Sequence, residues 1–428
     1  MGPHLKKHQD FLQNTAIALL SVSAVFLFAQ TQIYNLGVTA GSGYFRFLSA
    51  SAARTDSASA AQGAALAAPV RVAVTGPYGR YGNVALSTAD TEFEPLDRLL
   101  GEVLGSARTY AACDDQAFLG ALRSTSVYYD FLEPLPLSVL AGLVGGTAGE
   151  DGVSARRLVV ASQSDGVYLY LWDGGSSYLR CTTAVSTENL ETAIGNYELG
   201  SARFAFDDAD PALHSEEVAP YSLFLAEEPE LPVLSATASL ADTDALLNTL
   251  RFNPYTKNRY AEPNGTEVIY ESERTLRIRT DGSIYYQSGG DPVLTVKSAG
   301  EDPTMQEAVT GAAALLTALL SPASDGAALY LQSIQQSGSL TALTFGYQMN
   351  GVPIRFSDGG CAAKVSLAGS AVSTLELRFR QYVPTEETSL LLPLRQALAI
   401  AALEPGAELS IGYADNGSGT VSAGWLAD

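Results

Sequence analysis

An α+β fold with antiparallel sheets, held outside a membrane by a single N-terminal transmembrane helix, is what this 428-residue sequence predicts. Residues 11–29 (FLQNTAIALLSVSAVFLFA) are almost wholly apolar, and no second segment resembles them. Beyond residue 69, short alternating runs of strand formers are interleaved with amphipathic helical stripes. Two turn signals, Asn264-Gly265 and Asp281-Gly282, join strand-like segments into a meander.

The anchor follows from length and charge. Residues 11–29 span about 28 Å at ~1.5 Å per residue, close to the ~30 Å hydrocarbon core of a bilayer. Lys6-Lys7 precede the span and no charge follows until Arg46. The positive-inside rule therefore makes residues 1–10 a cytoplasmic tip, residues 11–30 the anchor, and the rest extracytoplasmic. Thr15, Ile17, Leu20, Ser21, Ser23 and Phe26 are the candidates on the span for contact with a neighbouring helix. No GxxxG motif is present, and packing against lipid is the plainer role for Thr15, Ser21 and Ser23. A cleaved leader is the competing reading, because Val22-Ser23-Ala24 has the small-residue pattern a signal peptidase accepts, although cleavage there would expose apolar Val25 to Phe28.

Residues 31–68 read as a stalk. Within it, residues 49–68 are nearly all Ala, Ser, Gly and Thr, with too little bulky apolar surface to offset the entropy of ordering. An Ala-rich helical spacer is the alternative. About 360 residues remain, enough for two or three domains of ~100–200 residues. The pattern divides them into a first α+β domain (69–230), a central meander domain (231–325) with a helix over 302–320, and a C-terminal α+β domain (326–428).

Glu94-Pro95 opens a helix with the stripe Leu96, Leu99, Leu100, Val103 and Leu104, and Asp302-Pro303 opens one with Met305, Ala308, Val309, Ala312, Leu316 and Leu319. Strands are predicted at 159–161, 166–172, 327–334, 339–347 and 373–382. In the meander the strand-like flanks are 259–263, 266–271, 275–280 and 283–287. Asn-Gly and Asp-Gly predict two-residue type I′ turns, which place Ile278 opposite Tyr285 and Arg277 opposite Tyr286. One face is then the more apolar. The other sets Arg beside an aromatic, either as a cation–π binding surface or as a solvated Arg/Tyr ladder.

Chemistry is sparse. The charge balance is 25 basic against 46 acidic residues, a net of −21, which disfavours nucleic acid and anionic headgroups as partners. Cys113, Cys181 and Cys361 are widely spaced with no C-x-x-C, so small buried hydrophobes are expected rather than a Cys113–Cys181 bridge or a zinc site. His214 is the one histidine beyond the tip and lies in the acidic loop Asp207 to Glu217, where a surface role is expected. Asp207, Asp208, Asp210 and Glu216 lack EF-hand spacing. The glycines of residues 75–82 spell neither a P-loop nor a Rossmann fingerprint, and turn chemistry accounts for them. No G-x-S-x-G or S-x-x-K is present. No catalytic, cofactor or metal residue is assigned, and no cofactor is expected.

The sequence of residues 251–287 resembles the YycH-type accessory proteins of Gram-positive bacteria. The likeness is carried by Phe252-Asn253-Pro254, Arg259, Asn264-Gly265-Thr266 with Tyr270, Arg274-Thr275-Leu276-Arg277-Ile278, and Asp281-Gly282 with Tyr285-Tyr286. Residues 126–131 before Leu135-Pro136-Leu137, residues 345–354, and residues 409–413 with Trp425 agree with it more thinly. The related YycI-type proteins share the sheet pattern, and the length here is closer to the YycH type. The Ala/Ser stalk and the Ala- and Gly-rich ectodomain depart from the family. The resemblance implies regulation of a cell-wall sensor histidine kinase of the WalK/YycG type by contact rather than catalysis, with a YycI-like protein as a second partner. A ligand-binding ectodomain is the alternative, marked by a deep pocket lined by Trp172, Tyr168 or Tyr170. An enzyme would show a cleft clustering perturbed carboxylates.

Overall fold

Runs of Val, Tyr, Leu and Ile with period two pair into two large sheets in the computed structural model, which describes residues 69–84, 93–143, 152–207, 218–238, 243–290, 293–296, 302–320, 327–404 and 406–427. The chain divides into two units: Met1–Gly43, which lies outside the described residues and holds the predicted anchor, and Tyr44–Asp428, which holds everything below. The predicted stalk also lies outside the described residues. Among the described residues no helix is long and apolar enough to cross a membrane. The described chain is α+β, with seven α-helices and sheets that are antiparallel except at one junction.

The first sheet has nine strands: β1 (Arg71–Thr75), β2 (Tyr81–Val84), β3 (Arg108–Cys113), β4 (Ser126–Pro136), β5 (Ser154–Gln163), β6 (Gly166–Trp172), β7 (Tyr178–Thr182), β8 (Ala202–Phe204) and β9 (Leu223–Leu225). Their order is β3-β7-β6-β5-β4-β1-β2-β8-β9. Both faces are covered, which is why β4 and β5 read as continuous apolar runs rather than clean alternations. On one face, Val72, Val127, Leu158 and Leu169 pack with α1 (Glu94–Ser106), whose predicted stripe Leu96, Leu99, Leu100, Val103 and Leu104 is buried throughout, and with α3 (Leu137–Leu143) and α4 (Thr187–Ile194). On the other face, Ala73, Tyr128, Val159 and Tyr170 pack against Phe118, Ala121 and Leu122 of α2 (Asp115–Arg123). That helix begins where the Asp114 carboxylate accepts the Ala117 N–H at 2.8 Å.

A small sheet sets β10 (Pro232–Thr237) between β20 (Gln381–Thr388) and β22 (Thr420–Val421). The third sheet has eleven strands. It starts with the meander β11 (Arg259–Ala261), β12 (Glu267–Glu271), β13 (Arg274–Ile278) and β14 (Ser283–Gln287). It continues with β15 (Ala327–Ser337), β16 (Leu340–Met349), β17 (Val352–Phe356), β18 (Ala363–Ala368), β19 (Ala371–Arg378), β21 (Leu409–Asp415) and β23 (Ala423–Ala427). β14 pairs with β19, so meander and C-terminal strands form one sheet across residue 325, and β17 pairs with β21 in parallel. α5 (Thr243–Thr249) and α6 (Met305–Leu320) supply apolar faces to the main core, while α7 (Leu394–Ala401) packs in a smaller cluster with Phe224 and Leu409.

Four local expectations are corrected. The helix expected to open at Asp302-Pro303 starts at Met305 behind a capping box, in which the Thr304 N–H donates to Glu307 at 2.8 Å and the Glu307 N–H donates to the Thr304 hydroxyl at 3.2 Å. The run 373–382 is two strands, β19 and β20, which belong to different sheets. The Asn264-Gly265 and Asp281-Gly282 turns are three-residue loops, not two-residue type I′ turns. Only the glycines have positive φ (82° and 79°), the Glu262 N–H donates to Thr266 O and the Arg279 N–H to Ser283 O. This is a type I turn closed by a left-handed glycine. Pro263 sits where that turn type favours proline, and the Asn264 and Asp281 carboxyl or amide oxygens accept the N–H two residues on. Lastly, one extra loop residue shifts the register by one: Arg277 faces Tyr285, Ile278 faces Ile284 and Leu276 faces Tyr286.

Candidate interaction surface

The meander has an inside and an outside. Ile269, Leu276, Ile284 and Tyr286 point inward and are buried. Arg274 pins the entry to the meander: its guanidinium lies 4.7 Å from the Phe252 ring, donates to the carbonyls of Leu250 and Arg251, and pairs with Glu271 at 3.3 Å. Between β12 and β13 the chain reverses through Ser272 and Glu273, both at positive φ (47° and 69°). The turn with two successive left-handed residues therefore falls where no glycine stands.

Register places Tyr260, Val268, Arg277 and Tyr285 in one row on the outward face, with Tyr270 opposite Thr275 in the next row. Val268 is buried beneath its neighbours, while Tyr260 and Tyr270 are about half exposed (57% and 47%). Around them lies a shallow depression of about 370 Å³ that also takes in Lys257, Asn258 and Arg259. Tyr255, just before the edge strand, is 89% exposed. Arg259 pairs with Glu267 at 2.7 Å and Arg277 with Glu262 at 4.0 Å. Lys257 has no ion-pair partner among the described residues. Tyr and Arg side chains surround an aliphatic floor at Val268.

The largest charge cluster is internal. Arg71, Asp130, Arg157 and Trp172 are successive cross-strand neighbours on β1, β4, β5 and β6. Glu408, entering just before β21, meets Arg71 at 2.6 Å, Arg157 at 2.7 Å and also Arg156. The Arg157 side chain is fully buried, with its guanidinium 4.6 Å from the Trp172 ring and 5.1 Å from the Tyr221 ring. Burial pushes the Asp130 carboxyl up, but the guanidinium charges of Arg157, Arg71 and Arg156 outweigh it and hold the group well below the ordinary carboxylate range. Burial likewise opposes ionisation of Glu408, and Arg157 overrides it with help from Arg71 and Arg156, against Asp130. Leu132 is held at φ 67° beside the cluster, with its N–H donating to Asp130 at 2.8 Å. Both carboxylates are therefore held ionised near neutral pH in a site closed off from solvent.

Asn264, Gly265, Asp281 and Gly282 shape the two meander loops. Thr15, Ile17, Leu20, Ser21, Ser23 and Phe26 lie outside the described residues, as do Asp208, Asp210, His214 and Glu216. Asp207 accepts from the Tyr81 hydroxyl at 2.8 Å and from Arg123 at 3.2 Å. Trp172 covers Arg157, and the Tyr168 hydroxyl donates to Asp165. The Trp172, Tyr168 and Tyr170 group does not line the depression. All three cysteines are free. Among the described residues no group of three His, Cys, Asp or Glu is placed to hold a metal ion. The sequence reading missed Tyr255, Tyr260 and Lys257, although three Tyr and two cations within residues 255–270 were the available signal. It also missed the Arg71–Asp130–Arg157–Glu408 cluster. Comparison with known protein families, curated proteins and solved structures returns no match to this chain.

Proposed function

We propose that this chain is a membrane-anchored extracytoplasmic accessory protein that sets the output of a cell-wall sensor histidine kinase of the WalK/YycG type by protein–protein contact, together with a YycI-like protein. One observation carries the reading. Residues 251–287, where the likeness to YycH-type proteins is densest, put Phe252, Arg274, Leu276 and Tyr286 inside and leave Tyr260, Tyr270 and Arg277 on an open face. The apolar segment 11–29 supplies the second contact. A packed helix with one polar contact biases a neighbouring transmembrane bundle by ~1–2 kcal/mol, enough to shift a two-state kinase severalfold.

The test replaces residues 11–29 with an unrelated apolar helix of equal length. Kinase output changes while the ectodomain still reaches the surface, and His214→Ala or Asp207→Ala with Asp208→Ala leaves output intact. A silent helix exchange together with loss of output in either ectodomain variant would sink the contact mechanism. A second reading is capture of a cell-envelope ligand such as a peptidoglycan fragment or peptide, for which the depression between Tyr260 and Tyr270 is a candidate seat.

A further inference from the structure

Resting on the contact reading, we infer that the outward face of the meander edge docks an acidic segment of a protein partner. β11 is the terminal strand of its sheet and has no neighbour on its outer side among the described residues. It is three residues long, and Tyr260 with the flanking Asn258 and Glu262 bonds toward β12, as the Tyr270 N–H to Asn258 O and Glu262 N–H to Thr266 O bonds show. Only the alternate positions, 259 and 261, turn backbone groups outward, too few to template a fourth-party strand, and a short basic edge is how natural sheets block such pairing. Recognition therefore rests on side chains. Tyr260 and Tyr270 flank the buried Val268, forming two rigid rings over an apolar floor, a low-entropy anchor for one apolar side chain of a partner.

Charge fixes the chemistry of the rest. Lys257, Arg259 and Arg277 border the depression in a chain whose net charge is −21, and the carboxylates paired with Arg259 and Arg277 leave Lys257 uncompensated among the described residues. The rim thus keeps a net positive charge at Lys257 on so acidic a protein, and that charge selects a short acidic segment. A second whole copy, itself at −21, meets repulsion over the surrounding surface that such a segment avoids. The depression is shallow and open, unlike the enclosed pockets that hold small ligands, which favours a protein segment over a free sugar or metabolite.

The full-length chain in lipid nanodiscs is titrated with a fluorescent peptide alternating Asp/Glu with Leu, and with its Lys/Leu counterpart. The acidic probe binds more tightly, binding weakens with salt, and Arg277→Glu or Lys257→Glu raises its Kd about tenfold while strengthening binding of the Lys probe. Lys257 is exposed and has no ion-pair partner among the described residues, so its reversal leaves the fold intact. Equal binding of the acidic probe to all three proteins overturns the inference. So does self-association abolished by Arg277→Glu, which identifies a second copy, or displacement of the probe by polygalacturonate at lower concentration than by unlabelled peptide, which identifies an anionic glycan. The contact reading fails separately, if the helix exchange leaves kinase output unchanged while His214→Ala, or Asp207→Ala with Asp208→Ala, abolishes it. If that exchange acts and the probe ignores Lys257 and Arg277, only the docking surface is wrong.

Discussion

The Arg157 guanidinium and the Glu408 carboxylate meet at 2.7 Å, although one belongs to the middle of the first sheet and the other to the approach to β21. With Asp130 and Arg71 they make an electrostatic clasp between the first sheet and the C-terminal strands. The arrangement holds three guanidinium groups against two carboxylates in a dry setting, where each charge relies on the others.

Removing one partner leaves uncompensated buried charge. Asp130→Ala or Glu408→Ala is expected to lower the unfolding free energy by ~3–5 kcal/mol. Denaturant unfolding of the full chain checks this, and a loss below about 1 kcal/mol would mean that the cluster is hydrated and loose.

The same carboxylates set an acid limit. Their folded-state pKa values lie below ordinary, so the unfolded chain binds more protons and stability rises with pH through the carboxylate range. The contribution is complete above the unfolded values near pH ~4 and is lost as pH falls through the depressed folded values. Asp415, lowered by Arg380 against the effect of burial, adds to the same window. The melting temperature is expected to be level above about pH 5 and to fall below about pH 4, with a shallower fall in Asp130→Asn. An unchanged slope in that variant would separate the acid transition from the clasp.

Fold class and most elements were legible because they are written locally. The stripe Leu96 to Leu104 has no use except to face a core, and it does. The meander was legible from its turn residues, but its register depended on one residue of loop length that Asn-Gly and Asp-Gly do not specify. Pro263 was the missed discriminator for the first loop, whereas the second has Thr280 at that place. The clasp was illegible for a different reason. Arg71, Asp130 and Arg157 each sit in a strand where a charge reads as a solvent-facing position, and only pairing across β1, β4 and β5 plus the arrival of Glu408 makes the site dry. Partners so far apart in sequence leave no periodicity to read.

The β12–β13 turn holds Ser272 and Glu273 at positive φ without a glycine. Ser272→Asn with Glu273→Gly supplies the pair that such a turn prefers and is expected to stabilise the chain by ~0.5–1 kcal/mol, less the Glu273 bond to the Gly290 N–H. A lower melting temperature would show that this bond outweighs the strain.

Topology is tested directly. A reporter active only outside the cytoplasm, fused after residue 70, should be active, with the chain retained at full length in the membrane fraction. Release of a shortened protein into the medium would favour a cleaved leader over the anchor.

Gly265 and Gly282 share a backbone conformation but not a neighbourhood, so their substitution separates backbone strain from steric conflict. At Gly265 an added methyl meets a Thr280 methyl at 3.1 Å, on a loop with room to adjust. At Gly282 it lies 2.9 Å from the Phe379 carbonyl oxygen and 3.2 Å from Ala238, and the Gly282 carbonyl itself accepts the Phe379 N–H at 2.8 Å. The Phe379 contact cannot be relieved without moving β14 from β19, where meander and C-terminal strands join, and the Ala238 contact adds the segment after β10. Gly265→Ala is expected to cost about 1 kcal/mol, the penalty of the left-handed conformation alone, and Gly282→Ala about 2–3 kcal/mol. Gly282→Val should cost more again, because a β-branched side chain at positive φ adds its own conflict. Equal losses at the two glycines would mean that the β14–β19 junction yields readily, and the meander would then behave as a separable unit rather than part of the larger sheet.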